Sequence, residues 1–268
     1  MNLSRITSAP DLQSWLIERP RLTLVFYLLL LTTAEAVTTY VDAGIGMVLH
    51  VVMLILLLVH SALINGDPLQ PMLYALLLTP LIRLLSLSLP LDQFPVISWY
   101  LIVSLPLFAA AFVVMRLMGY SMGQVGFRLR LRAIPFEIIV IAFGLCFGIV
   151  EYIILSPDQI ITWEGANRWQ DLIFPALMLI IGTGFMEELI FRGIIQQSAE
   201  KLFGKEIAII YAAVIFAILH IGWQSAVDVL FVFVAGAFWG WVFSHTHSII
   251  GISLSHGLTN IILFLVLP

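Results

Sequence analysis

The sequence predicts an all-α, polytopic membrane bundle of eight or nine spans, and three observations predict it. Hydrophobic residues make up 61% of the chain and charged residues 10%, with a mean hydropathy of +1.07, whereas a soluble domain carries roughly a quarter charged residues. The apolar residues gather into runs close to the ~20 residues that cross a hydrocarbon core about 30 Å thick. Those runs lack the polar and apolar alternation that a membrane β-barrel strand requires.

In chain order the runs lie at 22–40, 44–64, 69–90, 95–115, 134–155, 172–194, 207–223, 226–244 and 248–267. The first follows Arg19 and Arg21 with no small-residue cleavage site after a short apolar core, so it is expected to be a retained anchor. The third is the least regular, because it carries Pro80 and Arg83. The first four runs are expected to hold almost no polar groups within the membrane. A basic stretch from Gly126 to Pro135 then leads into the fifth, as a cytoplasmic, interfacial linker whose arginines meet anionic headgroups. The fifth holds the one cysteine, Cys146, expected to be buried among aliphatic neighbours; alone, it excludes an intrachain disulfide or a thiolate metal cluster. The eighth carries Gly236-Ala-Phe-Trp-Gly240, a spacing that lets a neighbouring backbone approach closely. The chain divides into an N-terminal region, 1–133, and a core, 134–268. No repeat, Walker or Rossmann pattern is present, so inverted-repeat transport lacks its usual cue, and nothing in the chain suggests nucleic acid as a partner.

Positive charges set the expected orientation, because Lys and Arg accumulate in cytoplasmic loops. They fall at Arg5, Arg19 and Arg21, at Arg116, Arg128, Arg130 and Arg132, and at Lys201 and Lys205, while Asp42, Asp92, Asp158, Glu164 and Asp228, with Arg168, lie in the opposite loops. Even numbers of runs separate the basic clusters. This places the N-terminus in the cytoplasm and the C-terminus outside, with the plasma membrane of a bacterial cell as the expected location and the bilayer as a constant partner.

Three polar constellations interrupt the last third: Glu187-Glu188-x-x-x-Arg192, Phe216-x-x-x-His220 and His256-x-x-x-Asn260. An Asp, Lys or Arg at the centre of a spanning helix costs about 2.5 to 3.5 kcal/mol on insertion scales, so such groups mark a functional site by default. Glu188 and Arg192 stand at i and i+4 and form a charge-assisted pair. Glu187, about 100° round the helix, is left without a full counter-charge and is the candidate general base, with Glu188 the alternative. Phe216 shares a face with His220, and His256 shares one with Asn260, with Ser253 extending that polar stripe. Glu187 lies roughly 21 Å before Lys201, His220 roughly 22 Å after Lys205 and Asn260 roughly 20 Å after His247 at the helical rise. His256 is somewhat shallower, at about 13 Å after His247; the four groups from three helices are still expected to converge at similar depth, with the shortest route to them from the side of Arg128 and Lys201. The stretch from Gln196 to Lys205 is polar enough to lie in the interface instead.

These motifs, in this order over residues 134–268, resemble the CAAX prenyl protease and bacteriocin-processing family, also called Abi, of intramembrane glutamic endopeptidases. The resemblance implies that Glu187 and His220 activate the attacking water, that His256 and Asn260 stabilise the oxyanion, and that Glu188, Arg192 and Phe216 support them. It implies a membrane-associated peptide or protein substrate, of the CAAX-like, prenylated or bacteriocin-precursor type, and no cofactor. Zinc is the alternative, since two histidines and a glutamate make a catalytic zinc site, although no HExxH pattern is present. The competing functions are a non-catalytic scaffold or immunity protein and a small-molecule permease.

Overall fold

The structure, a computed structural model, describes residues 19–128, 130–155 and 169–267, and within those residues it is helical with no strand. Arg5, Asp158, Glu164 and Arg168 lie outside the described residues. Among the described residues eight helices are long and apolar enough to cross a membrane: α1 Pro20–Tyr40, α2 Ala43–Leu63, α3 Gln70–Ser88, α4 Val96–Leu117, α5 Leu131–Leu155, α6 Ile173–Phe203, α7 Lys205–Trp223 and α8 Ala226–Thr246. A shorter apolar helix, α9, runs from Ile250 to Val266.

Helix α6 exceeds its expected end. The polar stretch after Ile195 stays helical to Phe203 because its polar groups are satisfied inside the bundle: the Gln196 amide donates to the Gly240 carbonyl at 2.9 Å, and the Ser198 hydroxyl to Ile194 at 2.7 Å. Helix α3 is broken at Leu77 between Gln70–Leu76 and Leu78–Ser88. Pro80 thereby falls in the first turn of the second piece, where a missing N–H is tolerated.

The N-terminal spans are not free of polar groups. Glu35 of α1 is fully buried and accepts from Arg83 of α3 at 3.0 and 2.6 Å, with His50 of α2 at 3.5 Å. Arg83 also donates to the Leu219 carbonyl of α7 at 3.1 Å, so a bidentate ion pair ties these spans to the last turn of α7. Cys146 is exposed on the outside of α5 rather than buried. The inward stripe of that helix is Val140, Gly144, Gly148 and Glu151, and the two glycines let α9 lie so close that a side chain at Gly148 would meet the Thr259 carbonyl at 2.7 Å.

The basic clusters converge on one end of the bundle. Lys201 lies over the Tyr120 ring at 4.0 Å, Lys205 contacts His245 at 3.4 Å, and Tyr211 reaches the Leu24 carbonyl at 3.3 Å near the start of α1. The linker docks at the same end, through the Ile249 amide and the Gly126 carbonyl at 3.0 Å, and leaves Arg128, Arg130 and Arg132 exposed. Asp228 departs from the loop placement expected for it. It sits at the third position of α8, fully buried, with neither carboxylate oxygen hydrogen-bonded.

Candidate active site

Helix α6 positions the first motif through two widened stretches of π geometry, Ile180–Phe185 and Leu189–Gln196, on either side of Met186–Glu188. Such insertions are frequent at functional sites because they re-aim side chains without ending the helix. A close approach makes room for them: a side chain at Gly184 would meet the Gly257 amide of α9 at 2.9 Å. His220 sits where α7 leaves regular geometry, at φ −94° and ψ 1°, in the sparsely populated bridge region where many active-site residues lie.

The three motifs meet around one cavity of about 60 Å³, lined by Glu187, Phe216, His220, His256 and Asn260. That is room for a few water molecules. Glu188 and Arg192 lie behind it, both buried, with Nη1 of Arg192 donating to Oε1 of Glu188 at 2.9 Å. Glu188 is not Arg192's alone. The same oxygen accepts from Nδ1 of His256 at 2.9 Å, and Nη2 of Arg192 donates to the Gly236 carbonyl at 3.0 Å. Arg192 also lies over the Phe216 and Trp239 rings at 4.8 and 5.6 Å. A side chain at Gly240 would strike the Gln196 amide oxygen at 2.7 Å, so the two-glycine spacing of α8 lets α6 dock its polar groups on bare carbonyls.

The hydrogen bonds dictate which ring nitrogens carry protons. Nδ1 of His220 faces the Phe216 carbonyl at 2.8 Å. A carbonyl only accepts, so Nδ1 bears the hydrogen and Nε2 of the neutral ring is the free acceptor. His256 is held between two acids, with Nδ1 on Glu188 and Nε2 3.8 Å from Oε2 of Glu187. The second distance is electrostatic contact rather than a hydrogen bond. His256 is stacked on Trp239 at 4.5 Å and 18°. Asn260 donates to the Thr183 hydroxyl at 2.8 Å, which in turn donates to the Leu179 carbonyl.

Thr183, Trp239, Tyr100 and Glu151 belong to the cavity wall although the sequence did not single them out. Thr183 had a signal, since it precedes Glu187 by one helical turn; Trp239 lies inside the two-glycine pattern, which was read only as packing. Ser253 does not extend the polar stripe into the cavity, because it lies at the contact with Gly184 on α6 and is fully buried. Beyond Glu187 and His220 an adjoining, mostly apolar cavity of about 540 Å³ is walled by Leu87, Leu91, Trp99, Tyr100 and Trp223. Both cavities lie away from the basic end: Arg116 is seventeen residues, about 25 Å, further along α4 than Trp99. The expected route from the side of Arg128 and Lys201 is therefore corrected, because the polar groups of α6 on that side are packed shut against α8.

Among the described residues no group of three His, Cys, Asp or Glu side chains is arranged to hold a metal ion.

The fold and site together define an integral membrane protein with a Glu/His centre inside its helical bundle. Residues 169–262, which take in all three motifs, match the family described as type II CAAX prenyl endopeptidase Rce1-like. No curated protein and no solved structure matches the chain.

Proposed function

We propose that the chain is an intramembrane endopeptidase that hydrolyses a peptide bond with water activated by Glu187 and His220. One observation carries the reading: Glu187, His220, His256 and Asn260, from three separate helices, line a single water-sized cavity. Glu187 takes the proton of the attacking water while Nε2 of His220 orients it. His256, held between its two acids, and the amide of Asn260 donate to the oxyanion that forms. Pre-aimed donors of this kind are each worth about 10² to 10³ in rate. The apolar cavity beside Glu187 suits a peptide that carries a lipid or a greasy tail, so CAAX-like, prenylated or bacteriocin-type substrates are the candidates. With the basic end in the cytoplasm of a bacterial cell, both cavities belong to the outer half of the membrane.

The test is cleavage by protein reconstituted in liposomes. Glu187→Gln and His220→Ala are expected to abolish cleavage while melting near the wild-type temperature, and peptides trapped by the Glu187→Gln protein identify the substrate by mass spectrometry. Wild-type cleavage by Glu187→Gln refutes the assignment of the base. A scaffold or immunity protein would be indifferent to Glu187 and sensitive only to Arg192.

A further inference from the structure

We propose that Glu151 is the acid that protonates the leaving amine, a role that rests on the protease reading above. Glu151 ends the inward stripe of α5, one turn beyond Gly148, which abuts Thr259 and Ile262 of α9. Its side chain therefore enters the bundle next to Asn260 and lines the same cavity as Glu187, His220 and His256. It is buried, at 7% exposure, and neither a hydrogen bond nor a cation among the described residues acts on it. The arginines inside the bundle are engaged elsewhere, Arg192 by Glu188 and Arg83 by Glu35. Its charged neighbours are acids, Asp228 first and then Glu187, and the remaining groups on this wall are Tyr100, His220 and His256.

A buried carboxylate with no counter-charge is costly, and the neutral acid spares the span that cost. A packing role leaves this residue unexplained, since it contributes no bond to the described residues and any apolar side chain of similar size fills the space without a polar penalty. The chemistry supplies a use. When water adds to the scissile carbonyl, one proton goes to Glu187, the C–O bond forms and the carbonyl electrons become the oxyanion. Collapse of that intermediate breaks the C–N bond, and the amine needs a proton as it leaves. Glu187 is already protonated but lies on the side of the attacking water, and Nδ1 of His220 is committed to Phe216. Glu151 gives its proton to the nitrogen and becomes a carboxylate; the proton on Glu187 then passes to it through cavity water, which restores both groups.

The experiment compares two substrates of one sequence, joined at the scissile position by an amide or by a thioester. A thiolate leaves without a proton, whereas an amine does not. Wild-type and Glu151→Gln proteins are assayed in liposomes, with melting temperature as the control for folding. Glu151→Gln is expected to lower kcat on the amide by about 10² or more, the usual worth of general acid catalysis, and to change the thioester rate by no more than a few-fold. Should Glu151→Gln fail to fold, Glu151→Asp is read in its place, and its amide loss must again exceed its thioester loss. Equal losses on both bonds, or no loss on the amide, overturn the assignment of Glu151 alone. Wild-type protein that cleaves neither bond overturns the protease reading and this one with it.

Discussion

Arg192→Ala tests the architecture of the site most severely. The guanidinium is buried, at 1% exposure, and neutralises Glu188, which is wholly inaccessible. Removing one partner of such a pair leaves an uncompensated buried charge and costs about 3 to 5 kcal/mol. The Gly236 carbonyl loses its donor as well, and the Phe216 and Trp239 rings lose the cation lying over them. These terms overlap and are not summed; the ion pair sets the scale. At roughly 2 to 4 °C per kcal/mol for a large domain, the apparent melting temperature in detergent is expected to fall by about 10 °C. The double variant Glu188→Gln with Arg192→Gln removes both charges and should recover part of that loss, though not all, because His256 also loses its charged acceptor. Differential scanning fluorimetry of the three purified proteins measures this directly. Equal midpoints for wild type and Arg192→Ala would refute the claim that Arg192 neutralises Glu188 and ties α6 to the Gly236 carbonyl of α8.

The remaining predictions concern rate, packing and sidedness. Asn260→Ala should keep measurable cleavage, reduced about 10² to 10³ as for one oxyanion donor, in a kcat measurement in liposomes. Gly240→Ala should destabilise by about 1 to 3 kcal/mol, seen as a lower melting temperature, because its new methyl meets the Gln196 amide oxygen. In a Cys146→Ala background, a hydrophilic thiol reagent applied to intact cells should label Asp92→Cys and spare Ser121→Cys, both exposed positions at opposite ends of the bundle, and a substrate with its scissile bond on the outer side should be cut. Labelling of Ser121→Cys from outside would reverse the orientation.

How far the sequence foretells this molecule depends on what the bilayer makes visible. Span positions are legible because a long apolar run has few other uses, and the three motifs are legible because each ionisable group inside such a run stands out. Faces are not, since side chains toward lipid and toward the core are equally apolar. Cys146 illustrates this: nothing in its aliphatic neighbourhood separates an outward from an inward position, and only Gly144 and Gly148 betray the face that α9 covers. Long-range pairing is hidden for a different reason. Arg83 is conspicuous, but its acceptor Glu35 lies forty-eight residues earlier, near the end of a run where an acid passes for the membrane boundary.

That hidden pair changes the meaning of the N-terminal spans. Glu35 fixes two donors of the Arg83 guanidinium, and a third contact falls on the carbonyl of Leu219, immediately before His220. His220 leaves regular helical geometry at this point, so the carbonyl of Leu219 needs a partner that helix α7 no longer supplies. Arg83 supplies it from a separate part of the chain. The matched region, residues 169–262, holds the motif residues, yet the backbone that presents one of them is braced by α1 and α3. A site spread over α6, α7 and α9 is thus completed by helices whose sequence carries none of its motifs.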